Sequence, residues 1–297
     1  MNIMKRLSLI LTLALLVLTA QAQLLWKVSG NNLARPSYIL GTYHFAPAAM
    51  IDKIPGMQQA FDGCDVVVGE LEGNDLLNPQ SQAMAAQAMI APVDSTLDKL
   101  FTPQEYAIVE QVFDKYFGTM GVKLSQMNML KPSAISTQMQ AIQAIKSFPT
   151  MDVNDLIDMA VQKRASLAGR PSLAFETVEE QIDLLFNAPL TEQAQGLLDA
   201  CKKDDLFAEQ SSALVEAYMS QDLSKIEAII NDPELGGNDA EAMDALIYDR
   251  NRSWAAKLVK MMPERACLVC VGAGHLPGNQ GLLQLLRDRG YTVEPMQ

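Results

Sequence analysis

The chain has 297 residues, 49% of them hydrophobic and 6% aromatic, with a formal net charge of −12. That length supports one large or two small domains with a full core. The acidic balance and the lack of a basic cluster argue against nucleic acid or an anionic membrane as partner.

Residues 1–22 read as a signal peptide. Lys5 and Arg6 make a positive start, Leu7 to Ala20 is apolar but short for a bilayer span, and Ala20-Gln21-Ala22 is a small-x-small cleavage pattern. The mature chain is expected to begin near Gln23, and loss of Lys5 and Arg6 takes the charge from −12 to −14. No cysteine stands at the cleavage point, and no later segment is long and apolar enough for a membrane helix. The expectation is an exported chain, periplasmic or extracellular, with no membrane span.

In chain order, residues 24–28 and 38–41 read as two strands joined across Gly30-Asn31-Asn32. Pro47 to Phe61 reads as a helical crossover, and Asp65 to Leu71 as a third, buried strand. From about 79 to 167 the pattern is helical; in Pro103 to Phe117, Ile108, Val109, Val112, Phe113 and Phe117 fall at helical spacing. Residues 172–176 return to strand, and Thr177 with Glu180 makes a capping box for the next helix. Helix continues to about Met262, followed by a strand at 267–271, a helix from Asn279 to Arg289 and a closing strand near 291–294. Sheet elements flanking a helical insertion suggest one α/β domain, residues 23–297, with a helical subdomain. The 17 methionines lie mostly on helical stretches and read as core filler.

The chain has only two histidines, and each ends the same four-residue pattern: Gly41-Thr42-Tyr43-His44 and Gly272-Ala273-Gly274-His275. Glycine fills 17 of 297 positions, so this matched spacing rarely arises by chance. Each motif follows an apolar run that reads as a buried strand. Both histidines then leave strand ends on tight glycine turns, where open α/β sheets collect ligands. Neutral imidazole is the commonest metal ligand and a frequent acid or base.

Carboxylates at strand ends complete the set. Glu70 and Glu72 close the 65–71 strand, and Glu176 closes the 172–176 strand. Two histidines and one carboxylate form a standard catalytic-metal set with open positions for water and substrate, and a second carboxylate could take the proton. Glu70 ranks first because it follows the apolar run directly and begins buried. Glu72, two residues on, shares its face as a further ligand or base.

Other chemistries fail on the residues. There is no HExxH and no GxSxG elbow. Gly272-Ala273-Gly274 is followed by Gly278, one residue late for a dinucleotide loop, and no βαβ unit follows. Four cysteines permit two disulfides, but Cys267 and Cys270 are three apart on a strand, face opposite ways and should not bridge. Burial there makes a cysteine nucleophile weak. Cys64 and Cys201 are left open as paired or free.

These residues resemble the TraB/GumN-like family, which includes the TIKI metalloproteases and is more distantly similar to ChaN and the erythromycin esterases. The matching features are Gly41–His44, Glu70 in Val-Val-Val-Gly-Glu-Leu-Glu, and Gly272–His275. Leu25-Trp26-Lys27-Val28 with Pro36-Ser37-Tyr38 resembles the family's opening hairpin. Phe175-Glu176-Thr177 with Gln181 resembles its central signature, Arg250-Asn251 with Trp254 its Arg-Asn helix, and Gly290 to Val293 its closing strand. Ser133 and Met151 depart from residues often found there. The resemblance implies a mixed central sheet flanked by helices and a divalent-metal-dependent hydrolase, most specifically a peptidase. It implies His44, Glu70 and His275 as ligands of Zn, Mn or Co, a peptide or small acyl substrate, and Arg250 holding a substrate carboxylate or an oxyanion. A second class stays open: a non-catalytic exported protein whose histidines hold metal or haem.

Overall fold

The computed structural model describes residues 23–148, 152, 155–235 and 240–296. The signal peptide read over 1–22, and Met151, lie outside the described residues. Six strands are described: β1 (Leu25–Gly30), β2 (Ser37–Thr42), β3 (Val66–Gly69), β4 (Ser172–Ala174), β5 (Cys267–Gly272) and β6 (Tyr291–Pro295). They form a mixed α/β sheet in the order β4-β3-β5-β2-β1-β6. β1 pairs antiparallel with β2 (Leu25 opposite Leu40) and with β6 (Val28 opposite Val293), while β2 and β5 run parallel with Ile39 opposite Val269.

Burial explains which strands the sequence marks clearly. β2 and β3 are buried along their whole length and β5 along all but Gly272, so each reads as an uninterrupted apolar run. β6 alternates, with Tyr291 and Val293 buried and Thr292 and Glu294 exposed, as an edge strand with one wet face does. β3 stops at Gly69, two residues short of the expected strand.

The described residues fall into two compact units. The first is drawn from residues 23–43, 49–67 and 214–296. It carries β1, β2, β5 and β6, and its core includes Leu40, Val269, Trp254 and Leu286. The single crossover helix expected over 47–61 is two pieces, a 3-10 turn at Ala48–Lys53 and an α-helix at Met57–Gly63. Pro55 offers no backbone donor between them, and Gly56 takes a left-handed φ of 76° with Met296 packed against its Cα, where a side chain would collide. The helix expected over 279–289 is realised only as Leu282–Arg287.

The second unit is drawn from residues 44–48 and 68–213. Its helix Pro103–Phe117 has the bounds read from the sequence, with Val109, Phe113 and Phe117 buried in one cluster with Leu97, Leu124, Ile135 and Leu197. A capping box of Thr102 and Glu105 starts it, and a second, Thr177 with Glu180, starts Val178–Phe186 as expected. Lys115 donates to Asp204 at 2.6 Å and Asp205 at 2.9 Å, while the Tyr116 hydroxyl donates to Asp204 at 2.6 Å. This ties Pro103–Phe117 to Asp204–Met219. Burial, helped by that bond to Asp204, lifts the Tyr116 hydroxyl to about 12.

Among the methionines read as filler, Met50, Met57, Met139 and Met262 are buried, whereas Met120, Met129 and Met219 are exposed. Cys64, Cys201, Cys267 and Cys270 are all buried thiols. Among the described residues no helix is long and apolar enough to cross a membrane.

Candidate functional site

The two glycine–histidine motifs leave neighbouring parallel strands at the same end. Gly41 lies opposite Val271 and Thr42 opposite Gly272, so the first residue of each motif sits at the carboxyl edge of β2 or β5. Open α/β sheets gather ligands at that edge. The expected reason for glycine is revised: none of Gly41, Gly272 and Gly274 has a positive φ. For Gly41 and Gly274 the reason is close approach instead. A Cβ on Gly41 would sit 3.1 Å from the Ala273 Cα and 3.0 Å from Leu276, and one on Gly274 would sit 2.6 Å from Ile230.

In the second unit, His44 has a side chain 57% exposed, between two carboxylates. Its Nδ1 lies 3.1 Å from Asp158 Oδ2, and its Nε2 lies 3.8 Å from Glu70 Oε1. The local chain explains the placement. Ile157 N–H donates to Ala46 O at 2.9 Å and Ala48 N–H to Asp155 O at 2.9 Å, which docks the stretch after His44 on the start of helix Ile157–Leu167. Asp158 stands in the first turn of that helix.

Glu70 follows β3 directly and is buried, as expected. Its carbonyl accepts from Glu176 N–H at 3.0 Å, just as Gly69 O accepts from Phe175 N–H, so two of the predicted carboxylate residues lie on adjacent backbones. The Glu176 carboxylate accepts from Gln181 Nε2 at 3.1 Å. Glu72 differs from its expectation. Because the strand ends at Gly69, strand alternation does not extend to it, and it stands at the N-cap of the short helix Gly73–Leu77. Gln162 pins this turn by donating to Leu71 O at 2.9 Å and accepting from Gly73 N–H at 2.7 Å.

In the first unit, His275 is buried, 4% exposed, and packs on Trp254 with ring centroids 4.5 Å apart. Its Nδ1 lies 2.8 Å from Asn251 Oδ1. Asn251 is fully buried, and its amide nitrogen donates to His275 O at 3.1 Å and to Gln280 O at 2.9 Å. Arg250 donates from Nη1 to His275 Nε2 at 3.1 Å and to Leu246 O at 3.0 Å, with its guanidinium over the Trp254 ring at 4.6 Å. A π-helical turn, Asp244–Tyr248, precedes the helix Asp249–Met261 that carries these residues. Such wide turns recur at functional sites.

Asp158, Gln162 and the π turn are the features that the motif reading missed. Asp158 is 114 positions from His44 and Gln162 is 91 from Leu71, so only tertiary pairing joins them.

The donor chemistry fits a divalent ion. Imidazole nitrogen with carboxylate oxygen suits Zn, Mn or Co, and a carboxylate on Nδ1 is the usual support of a ligating histidine. His44 with Asp158 behind it and Glu70 ahead has that arrangement. Among the described residues no three His, Cys, Asp or Glu side chains are gathered around one point as an ion would need. At His275, the nitrogen an ion would take is held by Arg250.

Residues 24–295 match the model of the TraB/PrgY/gumN family. The chain is 25% identical to the metalloprotease TIKI2 of Danio rerio over 91% of its own length and 60% of the relative's, and 22% identical to Danio rerio metalloprotease TIKI1 over 91% and 62%. It is 30% identical to the uncharacterized protein YbaP of Escherichia coli over 68% of this chain and 77% of that one. The chain thus spans about three fifths of the length of the TIKI relatives. No solved structure matches it significantly. With the family model matched along nearly all of its length beyond residue 23, the chain belongs to the TraB/PrgY/gumN family.

Proposed function

We propose that this chain is a divalent-metal-dependent hydrolase acting on peptide or another acyl bond in the exported space. The observation that carries the proposal is the seating of His44, with Asp158 on Nδ1 and Glu70 facing Nε2. The names of the TIKI relatives support it. The ligand set is the one read from the motifs, His44, Glu70 and His275, kept on the chemistry of its donors.

When bound, a divalent ion would acidify a water and polarise the substrate carbonyl. The chain's own residues supply the remainder. Asp158 orients the His44 ring and directs Nε2 toward Glu70. Glu176, bonded through its backbone to Glu70, and Glu72 are the carboxylates proposed to take a proton. Arg250 is a permanent cation suited to hold a substrate carboxylate or an oxyanion.

Metal analysis of the purified mature chain, paired with a peptide-cleavage screen with and without chelator, tests the proposal. Turnover lost on chelation and restored by metal supports it. Bound metal without turnover favours the non-catalytic binder, and absence of both overturns it. N-terminal sequencing of exported protein should begin near Gln23; retention of Met1 there would overturn the proposed localisation.

A further inference from the structure

We propose that a cavity in the first unit binds a short apolar peptide with free termini, its carboxylate on Arg287 and its ammonium on Glu227. The cavity lies between the helices Leu223–Ile230 and Leu282–Arg287 and the end of β6. The proposal stands apart from the metal-dependent reading above.

The cavity holds about 410 Å3, in the range of small-ligand sites. Trp26, 5% exposed, gives it an indole surface, and the buried side chains of Leu223, Leu276, Leu283 and Val293 give it apolar walls. Such a lining takes an apolar or aromatic side chain.

Two charged residues of opposite sign also line it. The Arg287 guanidinium lies 5.5 Å from the centre of the Trp26 ring and donates from Nη2 to Val293 O at 3.1 Å. A guanidinium carries five N–H donors, and among the described residues Val293 O is the one acceptor this one has. Glu227 is half-buried, and among the described residues its carboxylate has no hydrogen-bond or ion-pair partner. It sits against Gly278, whose φ is 83° and where a Cβ would come within 2.9 Å of Glu227 Oε1. Glycine at 278 is what leaves the carboxylate room there.

Arg287 and Glu227 thus share one cavity without neutralising each other. A lone carboxylate that is half out of water is costly, and a guanidinium with open donors is suited to a planar carboxylate. A ligand with an ammonium for one wall and a carboxylate for the other satisfies both, while its apolar side chain lies on the indole. Strand addition is the other way to hold a peptide here, because β6 ends the sheet. The edge is blunted against it: Arg287 already takes Val293 O, and Pro295 has no N–H to offer. The peptide therefore enters the cavity and does not extend the sheet.

The chain has two tryptophans, Trp26 and Trp254, and they report on different places. Trp26 Nε1 donates to Gln23 O at 2.9 Å beside this cavity, while Trp254 packs on His275. The test uses 15N-labelled mature protein kept in chelator, so that no metal-dependent cleavage consumes the probe. The tripeptide Ala-Leu-Phe should shift the indole N–H signal of Trp26 saturably. Its C-terminal amide and its N-acetyl form should each bind about tenfold more weakly, the scale of one charge-assisted hydrogen bond. Arg287→Met should erase the difference between acid and amide, and Glu227→Gln the difference between free and acetylated peptide. Arg287→Lys, which keeps the charge, should retain the preference for the acid if the methionine variant does not fold.

Equal binding of the free and capped peptides overturns the proposal, as does a preference that survives in the matching variant. A shift at Trp254 with none at Trp26 overturns it too, and puts the peptide beside His275 with the proposed hydrolase intact. No shift at either indole overturns it without touching the metal reading, which metal analysis decides separately.

Discussion

Asp158 and Gln162 stand one turn apart on the helix Ile157–Leu167, and each holds a different part of the candidate site. Asp158 lies 3.1 Å from the ring of His44, while Gln162 clamps the turn after Glu70 through Leu71 O and Gly73 N–H. Residues four apart share a helix face, so one rigid element sets both the histidine and the glutamate that follows β3. The packing is tight: a Cβ on Gly69 would come within 2.8 Å of Gln162 Nε2.

If His44 is a metal ligand as proposed, Asp158 is the residue that supports it. Asp158→Ala should weaken zinc binding by about 10- to 100-fold, the usual cost of losing a partner behind a ligating histidine. The fold should persist because the Asp158 side chain is a quarter exposed, at 25%. Calorimetric zinc titration and a thermal melt check both halves. Unchanged affinity would remove Asp158 from the site.

Both histidine substitutions should lower metal content, but they should differ in stability. His44 is largely exposed, so His44→Ala should melt within about 0.5 kcal/mol of the parent. His275 instead is buried on Trp254 and satisfies Asn251. His275→Ala strands that buried amide oxygen at a cost of about 1–3 kcal/mol. Equal denaturation midpoints for the two variants would contradict the assignment.

The buried thiols and Tyr116 set an alkaline limit. Burial lifts Cys201 and Cys267 from 9.0 to about 12, with the charge of Asp204 adding to the effect at Cys201, and Tyr116 rises from 10.0 to about 12. All three are acids whose folded value lies above the unfolded one, so the folded state binds more protons in this window. Their stabilisation is present below about pH 9 and is lost as pH rises toward 12. Chemical denaturation between pH 8 and 11 should show falling stability, and a thiol reagent at pH 8 should react with Cys201 and Cys267 only on unfolding. Rapid labelling of the folded chain would contradict the burial.

What the sequence made legible follows from where burial acts. β2 and β5 are covered on both faces and could be read as apolar runs; Pro103–Phe117 could be read because Val109, Phe113 and Phe117 repeat at helical spacing over one core. The glycine–histidine motifs could be read because matched spacing on two strands is itself a signal. The break at Pro55-Gly56 was visible in residue type but not in consequence, since the contact with Met296 that fills it comes from the far end of the chain. Asp158 and the link between Asn251 and His275 were invisible as partnerships because each joins residues distant in sequence through packing alone. Strand alternation also misdirected the reading of Glu72, since the strand ends before reaching it.

Glu70 is where the metal reading is most exposed to test. Its side chain is 10% accessible and lies 3.8 Å from His44 Nε2, and a carboxylate so enclosed is costly unless coordinated or paired. Glu70→Gln preserves size and shape while removing the charge. The decisive measurement is the zinc content of purified Glu70→Gln after equilibration with limiting metal, beside the parent and Glu176→Gln. The account predicts that Glu70→Gln loses metal while Glu176→Gln retains it. Full metal content together with full peptide cleavage in Glu70→Gln would contradict it and leave the two histidines without their proposed third ligand.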